Sequence, residues 1–104
     1  MPIDDPVIIR FRDAVKALYG DTLERIVLYG SRARGDARPD SDYDIAVFLK
    51  EPYDFYDEAG RMAEIGITIL DDTGAVINAL PLREGSWRER TGFMHEVRRE
   101  GIDL

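Results

Sequence analysis

With 104 residues, 44% of them hydrophobic, the chain suits a single domain, 1–104, built on one core. The absence of cysteine excludes disulfides, thiolate nucleophiles and zinc–thiolate centres, and fits a reducing cytoplasm. A formal charge of −7 disfavours direct nucleic-acid binding, which asks for a basic surface, and no apolar run approaches the ~18 residues of a membrane span.

The first five residues carry no basic segment of the kind that opens a secretory signal. Asp5 reads as a helix N-cap, with Pro6 at the first helical position. Ile8, Phe11, Val15 and Leu18 form one apolar stripe, and Gly20 closes the helix. Leu23 to Tyr29 is the first expected strand. Its apolar residues fall on both faces, Leu23, Val27 and Tyr29 on one and Ile26 and Leu28 on the other, so both faces should be covered. One helical turn is expected within 31–36, with Ser31 as N-cap, broken by Gly35 and Pro39. Residues 42–49 form the second strand.

Tyr53 to about Leu70 reads as a helix, with Phe55, Ala59, Met62, Gly66 and Ile69 on one stripe. Glu51, Asp54, Asp57, Glu58 and Glu64 are assigned to its solvated surroundings. Asp71 to Gly74 is a turn, and Ala75 to Leu80 a third strand ended by Pro81. Ser86 and Glu89 form a capping box that opens a final helix to about Glu100, stopped by Gly101. Phe93 and Val97 lie four apart on it, and Trp87 and Phe93 are expected core anchors. The order is helix, strand, strand, helix, strand, helix. It predicts a small α/β (α+β) domain, a mixed sheet flanked by helices.

The chemistry concentrates between Tyr29 and Phe48. An apolar strand ends at Gly30-Ser31, a polar loop carries Arg32, Arg34 and Arg38, and Asp42-Tyr43-Asp44 heads the second strand. Residues two apart on a strand share a face, so Asp42 and Asp44 point together while Tyr43, Ile45 and Val47 point the other way. Like charges side by side repel, and a hard divalent cation with oxygen ligands is the natural bridge. A strand end followed by Gly-Ser and a helical turn presents backbone N–H groups suited to phosphate oxygens.

Gly30-Ser31, ten residues, then Asp42-x-Asp44 resembles the signature of the DNA polymerase beta-like nucleotidyltransferase superfamily. Gly30-Ser31-Arg32-Ala33-Arg34-Gly35 and Ser41-Asp42-Tyr43-Asp44 are similar to its minimal nucleotidyltransferase branch, and to antitoxins of HEPN/MNT toxin–antitoxin modules. The resemblance is specific over residues 23–49 and covers the rest in outline. It implies the nucleotidyltransferase fold, ATP as substrate and Mg²⁺ held by catalytic Asp42 and Asp44. It places the nucleotide against Gly30, Ser31, Arg32 and Arg34. It implies AMP transfer to a hydroxyl of a partner protein, a HEPN-type toxin.

One position departs from the family. Active relatives usually carry a third carboxylate on a later strand, and here Asn78 stands at the expected position. Its carbonyl oxygen makes a weak third ligand, but it is no general base, and such assistance is typically worth ~10²–10⁴-fold. Asp71, Asp72 and His95 are candidate substitutes. Two other functions follow from the same residues. The chain could neutralise its partner by complex formation alone, or transfer a nucleotide to a small hydroxylated molecule.

Overall fold

A computed structural model describes residues 4–104, so residues 1–3 of the expected domain lie outside the described residues. Helix α1 spans Pro6–Tyr19, and the Asp5 carboxylate caps it by accepting the Val7 N–H at 2.8 Å. Ile8, Phe11 and Val15 are buried as the stripe requires. Leu18 is not: at the open end of the helix it remains half exposed. A short 3₁₀ turn, Gly20–Thr22, leads into strand β1, Leu23–Tyr29. Helix α2 is the single turn Ser31–Arg34, and strand β2 is Tyr43–Leu49. The chain continues through α3 (Phe55–Thr73), β3 (Ile77–Arg83), a 3₁₀ segment (Glu84–Arg88), α4 (Gly92–Glu100) and β4 (Ile102–Asp103).

The four strands form one mixed sheet in the order β3-β2-β1-β4. β2 pairs antiparallel with β1 and parallel with β3, and α3 provides the crossover between the two parallel strands. Parallel neighbours need such a connection, whereas β1 and β2 are joined by the loop that carries α2. β2 lies at the centre and is buried along nearly its whole length. Its odd residues, Tyr43, Ile45, Val47 and Leu49, join Ile26 and Leu28 of β1 under α1 and α3. Its even residues, Ala46 and Phe48, join Val27 under Met94 and Val97 of α4. Each fully buried Val, Leu, Ile, Phe or Met side chain among them contributes roughly 1.5–3 kcal/mol.

Several expected boundaries move. Leu23 packs with Ile26 and Leu28 rather than with Val27, because the pairing register shifts between Leu23 and Arg25 and turns the strand end over. β3 begins two residues late and runs through Pro81. β3 is an edge strand, and the Pro81 carbonyl faces outward to accept the Tyr53 hydroxyl at 2.9 Å. The ring nitrogen, which has no proton to give, therefore falls on the unpaired side. α3 starts at Phe55, two residues later than expected, with Asp54 as its N-cap. It also extends through Asp71 and Asp72, which are helical rather than part of a turn. Asp72 accepts from Arg10 of α1 at 2.5 Å, which ties that last turn down.

The final helix starts at Gly92, not at Ser86. Thr91 is its cap, accepting the Met94 N–H at 3.0 Å. Arg98 explains the difference: its guanidinium donates to the Trp87 and Glu89 carbonyls and holds that segment out of the helix. Trp87 packs edge-on against Phe48 at 5.5 Å, so it is an anchor as expected, while Phe93 stays half exposed against Tyr29.

Phe55 and Glu58 exchange their expected places. Phe55 is exposed, and Glu58 is buried at 7% exposure. The Tyr19 hydroxyl donates to Glu58 Oε1 at 3.0 Å, and Arg61 pairs with the same oxygen at 2.7 Å. Desolvation, then the Glu58 carboxylate, pushes the Tyr19 hydroxyl pKa up. Replacing Glu58 with Ala leaves that hydroxyl without its acceptor and should cost about 1–3 kcal/mol in urea unfolding. The exposed Glu64→Ala control should change stability by less than about 0.5 kcal/mol.

Candidate active site

The site lies where β1 ends and β2 begins, on the face of the sheet that α4 covers. Tyr43 is driven into the opposite face, at 6% exposure, which leaves Asp42 and Asp44 on this one. The Tyr43 hydroxyl donates to Asp5 Oδ2 at 2.7 Å, while Asp5 Oδ1 caps α1. One carboxylate thus fixes both the start of α1 and the head of β2. Desolvation first, and the Asp5 hydrogen bond second, push the Tyr43 pKa up to about 12. The contact therefore keeps its proton across the physiological range.

Asn78 sits opposite Asp44 in the parallel register of β2 and β3. Its Nδ2 donates to Asp42 Oδ2 at 3.1 Å and to Asp44 Oδ1 at 3.2 Å. The amide therefore bridges the two carboxylates, as the face-sharing argument demands of any group between them. The donor set suits a divalent cation: the exposed Asp42 and the half-buried Asp44 carboxylates converge on one point, and the carboxamide can turn its oxygen toward that point. Among the described residues no cluster of three His, Asp or Glu side chains forms, so the third oxygen must come from Asn78 or from a ligand.

Gly30 faces the same point. Its backbone is in a positive-φ conformation, φ 75° and ψ −158°. A Cβ built on it would overlap Asp44 Oδ2. Gly30, not Ser31, is the N-cap of α2, and Ser31 is its first helical residue. The expected Ser31 side-chain cap does not form, which leaves the hydroxyl for another partner. The Gly30 carbonyl accepts the Ala33 and Arg34 N–H groups, so the turn closes without using those of Ser31 and Arg32.

The two arginines differ. Arg32 is committed to the loop: it donates to the carbonyls of Ser41, Pro39 and Arg38, the shortest contact being 2.7 Å to Ser41. Its guanidinium also stacks 4.0 Å from the centre of the Tyr43 ring. Arg34 is exposed and pairs with Asp36 at 3.2 Å and with Glu100 at 3.3 Å. Those two hydrogen bonds, Asp36 first, push its pKa up.

Tyr29 completes the wall. It pairs in register with Asp44, and burial together with that carboxylate raises its pKa. The candidate bases do not converge here. Asp72 is engaged by Arg10 at the α1 side of the sheet, Asp71 is exposed on the last turn of α3, and His95 is exposed on α4. The residue that sequence reasoning missed is Glu100. Its carboxylate accepts the Gly30 N–H at 3.0 Å across a separation of 70 residues, and no local pattern marks it.

A family model described as "Nucleotidyltransferase domain" matches residues 8–90. A candidate protein adenylyltransferase of Methanocaldococcus jannaschii, MJ0604, is 29% identical over 100 residues, covering 94% of each chain. Among solved structures, a chain of a toxin–antitoxin complex with AMP-PNP superposes with a TM-score of 0.60 at 20% identity, covering 89% of this chain and 68% of that one. A chain from the Shewanella oneidensis complex of tri-AMPylated HEPN toxin with MNT antitoxin gives 0.55 at 19% identity, covering 93% and 70%. The two structural likenesses establish the fold. No helix among the described residues is long and apolar enough to cross a membrane.

The geometry around Gly30 makes a direct prediction. Gly30→Ala adds a methyl group that must displace Asp44, in a backbone conformation that L-residues rarely adopt. The far-ultraviolet circular dichroism should stay native, while Mg²⁺-dependent ATP affinity, measured by calorimetry, should fall by about 10-fold or more.

Proposed function

The chain belongs to the nucleotidyltransferase domain family, and from that premise we propose that it moves AMP from ATP to a hydroxyl of a partner protein. Residues 1–104 act in this reading as one nucleotidyltransferase domain, the antitoxin of a toxin–antitoxin pair. The observation that carries it is the convergence of Asp42, Asp44 and Asn78 beside Gly30, where any side chain would displace Asp44. The relative named as a candidate protein adenylyltransferase, matched along 94% of both chains, supports the choice of a protein acceptor. The tri-AMPylated toxin bound beside a similar chain supports a HEPN-type partner. A formal charge of −7 favours a partner with a basic surface.

Asp42 and Asp44 would hold Mg²⁺, with the Asn78 carboxamide oxygen as a weak third ligand. When bound, the ion neutralises the triphosphate and polarises the α-phosphorus. The chain's own residues do the rest. Gly30 admits the phosphates close to the backbone, Ser31 offers its hydroxyl, and Arg34 offers a charge-assisted donor. Arg32 serves the nucleotide indirectly, by holding the 38–41 loop against Tyr43. The acceptor hydroxyl oxygen bonds to the α-phosphorus as the bond to the bridging oxygen of the β-phosphate breaks. Pyrophosphate leaves, AMP stays on the acceptor, and the hydroxyl proton passes to water, since Asn78 cannot take it.

Asn78 also favours a second reading, in which the same fold neutralises its partner by complex formation with little or no turnover. Intact-mass analysis separates the two. The protein is incubated with ATP, Mg²⁺ and the product of its neighbouring gene. The transferase reading expects the partner to gain whole AMP units, and expects none from the Asp42→Asn/Asp44→Asn double variant. Tight association without mass gain sinks that reading and leaves the second. On the transferase reading, Asn78→Asp restores the missing base and should raise the rate by ~10²-fold or more, followed by the same mass shift over time.

A further inference from the structure

Glu100 is the last residue of α4, and neither the cation pair nor the acceptor step uses it. Its Oε1 accepts the Gly30 N–H at 3.0 Å and the Arg34 Nη1 at 3.3 Å. Its Oε2 accepts the same Arg34 nitrogen at 3.3 Å. The side chain is only 12% exposed, although its residue ends a surface helix. Two partners, at either end of one five-residue segment, therefore meet a single carboxylate delivered from the far end of the chain.

The backbone around Glu100 is built to deliver it. Gly101 follows, and a Cβ there would overlap both the Val97 carbonyl oxygen and Val27 Cγ1. The helix end thus presses onto β1 at a distance that only glycine permits. β4 then pairs with β1, Ile102 opposite Leu28, and the Leu104 N–H reaches the Ile26 carbonyl at 3.0 Å. Glu100 is held between a helix and a strand that are both fastened to β1, the strand that ends at Gly30.

The segment it touches needs holding. Gly30 occupies a conformation with φ 75°, and its peptide N–H points away from the α2 ladder that its own carbonyl begins. Glu100 is the acceptor of the Gly30 N–H, on the peptide that joins the end of β1 to α2, so its removal leaves that donor without a protein partner and loosens the entry to Ser31. Arg34, at 47% side-chain exposure, has a long chain whose direction is set by Asp36 and Glu100 alone among the contacts it makes.

We propose that Glu100 is a positioning residue for nucleotide binding: it locks the Gly30 peptide and aims Arg34, so both ends of the 30–34 segment are set before a triphosphate arrives. This rests on the nucleotide-binding reading of Gly30, Ser31 and Arg34 given above. The carboxylate touches no phosphate. It acts by reducing the ordering that binding would otherwise require, which is the general route by which a preorganised site gains affinity. Its own charge is offset where it stands by the Arg34 guanidinium.

Calorimetric titration of Glu100→Ala with ATP and Mg²⁺ tests this. The affinity should fall by ~10-fold, the size usual for loss of a residue that orients a ligating group. Glu100→Gln keeps an oxygen able to accept both bonds and should bind within about threefold of the unaltered protein. Amide hydrogen exchange at Gly30, measured without nucleotide, should accelerate in Glu100→Ala and not in Glu100→Gln. Unchanged or tighter ATP binding by Glu100→Ala overturns the proposal, the tighter result marking the carboxylate as a competitor of the triphosphate. Unchanged exchange at Gly30 overturns it as well. Should the unaltered protein bind no ATP, the nucleotide reading fails by itself, and the exchange measurement still decides whether Glu100 orders the segment.

Discussion

The site depends on one close approach, the Asp44 carboxylate lying where the side chain of residue 30 would be. β2 cannot avoid it. Tyr43, Ile45, Val47 and Leu49 are sunk in the larger apolar cluster, and strand parity then puts Asp44 on the opposite face beside the end of β1. Burial of the odd residues is worth several kcal/mol in sum, far more than the repulsion between two carboxylates that both reach solvent. The core therefore dictates where the acids stand, and glycine at 30 makes room for them. Asn78 belongs to the same geometry, because parallel pairing with β2 carries it opposite Asp44 whatever its side chain.

Around that point the scaffold is tied by polar contacts, two of them of long sequence separation. Asp5 serves α1 and Tyr43 together, so the helix start and the strand head cannot move independently. Arg32 gathers three loop carbonyls and covers the Tyr43 ring. Glu100 reaches back to Gly30. The cap of α1, the turn α2 and the end of α4 thus each contribute one charged side chain to hold a few residues. Such contacts are individually modest when they are solvent-accessible, but they fix direction, which is what a site needs from them.

The sequence was most legible where periodicity and packing agree. The β1 range, the β2 range to within one residue and the parity of the acids follow from alternation and spacing, because both strands are covered on both faces, whereas Asn78 is marked by the family resemblance. Legibility fails where a distant partner overrides a local pattern. Glu58 looks like one more surface acid on α3, and only Tyr19, 39 residues earlier, makes it a buried one. Ser86 and Glu89 form a sound capping box, but Arg98 claims the nearby carbonyls and the helix waits for Thr91. β4 is two residues long, too short to show any period. Arg32 and Arg34 look alike in the sequence, and their division of labour appears only with the loop carbonyls and Glu100 in place.

Asn78 bears on both stability and turnover, in opposite senses. A carboxylate at that position would bring a third negative charge into contact with Asp42 and Asp44, and without a cation such a cluster opposes folding. The amide instead donates to both acids and holds them in place with no ion bound. The two acids are thus held in place with no ion bound, and on the transferase reading the chain gives up the group best placed to take a proton from an attacking hydroxyl. A protein whose first task is to bind a partner tolerates that exchange, because association needs an ordered surface at all times, whereas a single covalent modification of a long-lived complex needs only slow chemistry. The same substitution is therefore consistent with a slow transferase that works within a complex, and it argues against a rapid enzyme acting on a freely diffusing acceptor.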